Sequence, residues 1–177
     1  MTRIILLFGA IIGIINVGMF FLSFLGGDME QIMENGELIG YTTMIISLSA
    51  IFFAVRQYRD QHLGGQIKFG KAFLIGLLIT VVAGLIYTIG WELYYQNGGS
   101  EFTDMYLEQL RAGMAADGMT EAEIDAQLAS QEDMMQAYKE NIAVRMGVTF
   151  MEIFPVGLLV SLIVGLIYGV FLKPKEE

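Results

Sequence analysis

The sequence predicts an all-α integral membrane protein: four transmembrane helices in an antiparallel bundle, with an extracytoplasmic helical hairpin between the third and fourth. Three observations predict it. The chain is 55% hydrophobic over 177 residues, above the roughly 45–50% of soluble domains, and the excess is gathered into four blocks at about 4–25, 39–55, 72–95 and 146–172. The charges are segregated, with bases in one loop and at the termini and acids in the other two loops. The stretch between the third and fourth blocks, about 96–145, spaces its apolar residues three and four apart, as a surface helix does.

The loop from Arg56 to Lys71 orients the rest. It sets Arg56, Arg59, Lys68 and Lys71 against a single acid, Asp60. Short basic loops beside membrane spans stay on the cytoplasmic side. Arg3, Lys173 and Lys175 agree with it, so both termini are expected in the cytoplasm and both acidic loops outside.

Block one, Ile4 to Leu25, has 22 residues without a charge. It is long for a signal peptide and has no clear small-residue cleavage site before Asp28, so it reads as a retained span. Gly9 and Gly13 form a G-x-x-x-G, which lets another helix approach closely. Asn16, near mid-depth, needs a hydrogen-bond partner inside the bundle. The loop Gly26–Glu37 follows, with Asp28 placed to cap a single turn and Gly36 to end it.

Block two, Ile39 to Val55, is near the lower limit of length for crossing. Its Thr42, Thr43, Ser47 and Ser49 can back-bond to their own helix or reach neighbours. In the basic loop, Gly64-Gly65 marks a turn, and Ile67, Phe69 and Phe73 alternate with Lys68 and Lys71. That segment suits the headgroup level, with Arg56, Arg59, Lys68 and Lys71 reaching lipid phosphate. His62, the single histidine, has no cluster around it and reads as a solvated loop residue.

Block three, Ala72 to Tyr95, ends in Tyr87, Trp91, Tyr94 and Tyr95, an aromatic belt for the outer interface, with Glu92 inside it. The segment from Gln96 to Arg145 carries ten acids and three bases. Phe102, Met105, Tyr106, Leu110 and Met114 make one stripe; Ile124, Leu128, Met135, Tyr138 and Ile142 make another. Asp117-Gly118 separates them, and Thr120 with Glu123 forms a capping box. Block four, Met146 to Leu172, contains Glu152 and Pro155, and the proline should kink or disturb its first turns.

Blocks three and four share a pattern. Gly76-Leu77-Leu78-Ile79-Thr80 returns as Gly157-Leu158-Leu159-Val160-Ser161, and Gly84-Leu85-Ile86-Tyr87 as Gly165-Leu166-Ile167-Tyr168. Small residues thus recur every fourth position: Gly76, Thr80, Gly84 and Thr88 in one, Gly157, Ser161, Gly165 and Gly169 in the other. Such ribbons let backbones close on each other.

Tyr58-Arg59-Asp60, Gly64-Gly65, Ile67 and Phe69-Gly70-Lys71-Ala72-Phe73, together with Glu152-Ile153-Phe154-Pro155-Val156-Gly157, resemble the bacterial membrane family called domain of unknown function 4199 over essentially the whole length. The resemblance implies a bacterial inner membrane and supplies no catalytic residues.

Function is bounded mainly by what is missing. There is no cysteine, hence no disulfide or thiolate metal site. No phosphate-binding G-x-x-x-x-G-K-[ST] and no G-x-S-x-G elbow occurs, and no basic face fits nucleic acid. No metal site and no cofactor are expected. The expected partners are the lipid bilayer and a membrane or periplasmic protein. Three readings stay open: a non-catalytic scaffold or partner protein acting through the acidic hairpin, a small transporter or proton- or cation-coupled subunit using Glu92 and Glu152, and a lipid-facing enzyme. The candidate polar cluster is Glu92, Glu152, Arg145, Tyr41 and Thr42, all placed near the outer surface by this topology. An ionisable residue inside a span is a functional candidate by default, and pairing with Arg145 to hold the bundle top is the structural alternative.

Overall fold

A computed structural model describes residues 1–25, 29–99 and 101–172. It is helical, with no strand among the described residues. In chain order the helices are α1 (Thr2–Leu25), α2 (Met29–Leu48), α3 (Ala50–His62), α4 (Phe69–Tyr94), α5 (Glu101–Ala116), α6 (Glu121–Glu140) and α7 (Ile142–Leu166). Short π-helical turns, Tyr95–Gly99 and Ile167–Phe171, follow α4 and α7. Among the described residues, four stretches are long and apolar enough to cross a membrane: Thr2–Met19, Asn35–His62, Phe69–Asn97 and Ile142–Phe171. Asp28, Lys173 and Lys175 lie outside the described residues.

Several boundaries differ from the sequence expectation. The helix expected to start after Gly36 begins at Met29 and runs through that glycine. One glycine costs a helix about 1 kcal/mol against alanine, which weakens it without ending it. Instead the break comes at Ser49. Its hydroxyl donates to the Ile45 carbonyl (2.7 Å), and the Phe52 amide makes a tight turn onto the Ser49 carbonyl (3.1 Å). A serine that bonds its own backbone competes with helical geometry. Beyond it α3 continues to His62, so Arg56 and Arg59 sit on a helix and not in a loop. Arginine and glutamine are good helix formers, and leaving the apolar block is no reason to leave the helix. The turn falls at Gly64 and Gly65, both at positive φ (62° and 90°), where the Gly65 amide reaches back to the Arg59 carbonyl (3.1 Å). Helix α7 starts at Ile142, so Ile142 belongs to it and not to the stripe of α6. It passes through Pro155 as one helix.

The chain divides into two compact units, Met1–Thr88 with Phe150–Glu177, and Ile89–Thr149. The first has an apolar core around Ile12, Leu48, Ile51, Ile75, Ile79 and Ile153. Its polarity is inverted relative to a water-soluble bundle. Ile14, Ile46 and Phe53 are over 60% exposed, while Asn16, Ser47, Thr80 and Ser161 are buried. That is the arrangement hydrocarbon demands, because polar groups there must find partners inside. Asn16 Nδ2 donates to Ser47 Oγ (2.8 Å) and to the Ile12 carbonyl (2.8 Å).

The repeated pattern in α4 and α7 is used reciprocally. A Cβ added at Gly76 would stand 2.8 Å from Ser161 Oγ, and one added at Gly157 would overlap the Thr80 side chain. Each glycine of one helix therefore receives the hydroxyl residue of the other. The pairing shows the two helices antiparallel here, since four residues forward on one is four back on the other. Each hydroxyl also donates to the carbonyl of its own glycine four residues earlier: Thr80 Oγ1 to Gly76 (3.1 Å) and Ser161 Oγ to Gly157 (2.6 Å). The polar atom is thus satisfied locally while its carbon face fills the opposite notch. Gly9 and Gly13 of α1 abut Val82 and Ile86 of α4, and Gly84 abuts Phe150. Gly165 lies against Phe69 and Phe73, and a Cβ at Gly169 would strike the Phe69 backbone.

The second unit contains α5 and α6. Gly118 takes φ 85° at the turn between them. Arg111 pairs with Asp125 (2.7 Å), and Lys139 pairs with Asp104, so both ends of α5 are tied to α6. Thr120 caps α6 with the reciprocal box: its hydroxyl accepts from the Glu123 amide, and its amide donates to the Glu123 carboxylate (2.8 Å). Bonds from the Thr120 amide and hydroxyl hold the Glu123 carboxyl below the usual carboxylate range.

Candidate functional site

The second unit has a polar centre. Glu92, on the last turn of α4, and Arg145, on the first turn of α7, are both buried. Arg145 grips Glu92 with two parallel bonds, Nε to Oε2 and Nη2 to Oε1, each 2.7 Å. Arginine's planar fork matches a carboxylate in this way and lysine does not. The third nitrogen, Nη1, donates to the carbonyls of Tyr138 (2.8 Å) and Lys139 (3.1 Å), which close α6. A cation belongs there, because the last carbonyls of a helix are unpaired and carry its partial negative charge.

Asn141 makes this geometry possible. It is the single residue between α6 and α7. Its amide bonds back to the Ala137 carbonyl (2.9 Å), ending one helix, and its side-chain oxygen accepts from the Ala143 amide (2.9 Å), starting the next. Arg145 then lies one turn inside α7, and its carbonyl accepts from Thr149 Oγ1 (2.9 Å). Aromatic rings enclose the pair. The guanidinium stands 4.0 Å from the centre of the Tyr95 ring, and Tyr95 meets Tyr138 edge-on at 5.9 Å. Trp91 Nε1 donates to the Tyr138 hydroxyl (2.7 Å). Gln96, one turn beyond Glu92, donates to its Oε1 (2.9 Å). The arrangement is a buried ion pair in which both carboxylate oxygens and all three guanidinium nitrogens are engaged.

Glu152 belongs to the first unit and has different surroundings. It is exposed on α7 and accepts one hydrogen bond from the Tyr87 hydroxyl (3.2 Å). Tyr41 and Thr42 are exposed on α2, and no described hydrogen bond joins either to Glu152. Of the four bases expected at the headgroup level, Arg59 is the most enclosed: Nε lies 2.7 Å from Asp60, and the guanidinium is 4.9 Å from the Tyr168 ring centre. Arg56, Lys68 and Lys71 are exposed. Among the described residues no group of three or more His, Asp or Glu could hold a metal ion.

Sequence reasoning missed Asn141, Gln96 and the Trp91–Tyr138 bond. Asn141 carried a signal, being a strong N-cap type ahead of an apolar run. Gln96, four residues after Glu92, was also open to view. The Trp91–Tyr138 bond joins residues 47 apart and left no local trace.

The family model described as "Protein of unknown function (DUF4199)" matches residues 7–169. The chain belongs to this family. No curated protein and no solved structure matches it. Family membership thus agrees with a chain bearing membrane-span-like helices and assigns no activity to it.

Proposed function

We propose that this protein is a non-catalytic polytopic protein of the bacterial inner membrane, with both termini cytoplasmic, that presents α5 and α6 outside as a docking surface for another envelope protein. The observation that carries the reading is the two-bond pairing of buried Glu92 with buried Arg145. A carboxylate that works by exchanging protons or cations has to be open to them, and both oxygens of this buried one are committed to Arg145, with Gln96 on Oε1 as well. Its partners are instead a helix end and an aromatic shell, which is how a structural clasp is built. The acidic outer faces of α5 and α6 would then be the part available to a partner.

Topology and docking are tested separately. Alkaline phosphatase fused at Gly118 should be active and at Gly65 inactive; the opposite pattern would reverse the orientation. A photo-crosslinking residue at Met134, which is 60% exposed on α6, should give a discrete adduct in living cells. A chain that stays uncrosslinked there and at other exposed α6 positions would refute docking through this surface.

One observation favours a second reading, a small proton- or cation-coupled transporter. Glu152 is a carboxylate within a span-length helix, bonded to the Tyr87 hydroxyl and to no described cation. Under that reading Glu152→Gln folds normally and abolishes a pH-dependent flux in proteoliposomes. Under the docking reading no such flux exists in the parent protein.

A further inference from the structure

We propose that the corner between α3 and α4 binds the phosphate of an anionic phospholipid; this rests on the membrane reading above, but on neither its orientation nor its docking surface. Four cations lie along the two helices that meet at the corner, Arg56 and Arg59 on α3, Lys68 just before α4 and Lys71 in its first turn. One acid, Asp60, stands among them, and Arg59 takes it at 2.7 Å. Arg56 reaches the other oxygen only at 3.7 Å, with its side chain 63% exposed, so water screens that pair heavily. Among the described residues no carboxylate lies within 4 Å of Lys68 or Lys71. Among the described residues, then, two ammonium groups have no carboxylate partner, and the Arg56 guanidinium has only a distant one.

Local geometry makes that excess more costly. Lys68 immediately precedes α4, and its carbonyl accepts the amides of Lys71 and Ala72. The first turn of α4 has no acidic residue. Two lysines thus crowd the positive end of a 26-residue helix, where a carboxylate would ordinarily be favoured. Lys71 is steered rather than loose: its Nζ lies 5.6 Å from the centre of the Tyr58 ring, and Tyr58 is itself stacked on His62 at 4.9 Å. A ring face occupies one side of an ammonium and leaves donors for an anion on the other. The surroundings are open, since a Cβ added at Gly64, Gly65 or Gly70 would meet nothing within 4 Å.

The position selects the anion. Ala72 and Ile75 are already in the apolar core, so a bilayer around α4 has its headgroups at the level of Lys68 and Lys71. A glycerol phosphodiester without an amine brings net negative charge to that level. A zwitterionic lipid brings an ammonium that these lysines oppose. Free inorganic phosphate offers the same oxygens but no acyl chains to hold it there.

The full-length protein, purified in detergent, should retain phosphatidylglycerol over phosphatidylethanolamine in native mass spectrometry. Lys68→Gln with Lys71→Gln should weaken that retention on the order of tenfold, and arginine at both positions should keep it. The control, Arg111→Gln with Lys139→Gln, removes the same charge from α5 and α6 and should change nothing. Circular dichroism checks that each variant is folded. Equal loss in the control, no preference between the two lipids, or full displacement of the lipid by millimolar inorganic phosphate would each overturn the proposal. Vesicle flotation separates its failure from that of the membrane reading. A chain that floats with neutral vesicles yet shows no lipid preference loses only this site, and one that does not float at all loses both.

Discussion

Arg145 does two jobs with one side chain, neutralising Glu92 and capping α6. Glu92→Gln would leave a buried guanidinium half-paired and should cost about 3 kcal/mol. Arg145→Lys keeps the charge but loses the fork, and should destabilise even with Glu92 intact. The double variant, Glu92→Leu with Arg145→Met in one chain, should cost less than its two single variants summed, because no stranded charge remains. Thermal unfolding of the parent, the two singles and the double in one detergent measures the coupling, and strict additivity would rule it out. At Thr120 the effect is smaller: Thr120→Ala should cost about 1 kcal/mol of local stability. Glu123 gives that cap a pH dependence. Its folded carboxyl titrates below its usual range, so its contribution is full above that range and fades as pH falls through the lowered value. An NMR titration should show its midpoint rising in Thr120→Ala.

Among the helices, α4 and α7 are set by contacts of different hardness, and the glycines can be ranked by what each faces. A methyl at Gly169 meets the Phe69 backbone, whereas one at Gly165 meets ring carbons of Phe69 at 3.0 Å and 3.1 Å. Rings can rotate away and backbone cannot. Gly169→Ala should therefore lower the melting temperature in detergent more than Gly165→Ala, with overpacking costs of about 1–3 kcal/mol. Leu166→Ala, on a side chain already 43% exposed, should do least. Gly157→Ala should be partly rescued by Thr80→Ala, which clears the two nearest atoms it strikes and leaves the Thr80 Cβ at 2.8 Å. An unrescued double variant would mean that the two residues are not opposed. Hydrogen exchange should show α5 and α6 protected along the faces that hold Thr103 and Ile124, both buried.

For the molecule as a whole, Trp91 is a built-in depth gauge, being the single tryptophan. In bilayers its fluorescence should be quenched more by lipids brominated near the headgroup than near the chain end. The reverse would put the Glu92 clasp at the midplane. The helices were legible because apolar blocks this long admit few alternatives, and the Thr120 box was legible because its signal is local. Helix ends were less so. Ser49 and Asn141 break helices through hydrogen bonds that compete closely with continuing the turn, and Arg56 and Arg59 look like loop residues until α3 is seen to outlast its apolar run. The polar cluster was the hardest part. Glu92 and Glu152 look alike in sequence, yet one has Arg145 and the other has Tyr87, because partner choice depends on which face of a helix each side chain occupies.

The exchange between Gly76 with Thr80 and Gly157 with Ser161 has a consequence beyond this pair. An antiparallel contact in which both sides bear the same word is self-complementary, like a palindrome. A second α4 could occupy the place of α7, with its own Gly76 facing a Thr80. A synthetic peptide of α4 should therefore dimerise antiparallel in micelles, and Gly76→Leu should abolish it. Inside the protein nothing in this four-residue word prefers α7 over another α4. The preference has to come from the asymmetric positions on either side, where Gly84 meets Phe150 and Gly169 meets the Phe69 backbone.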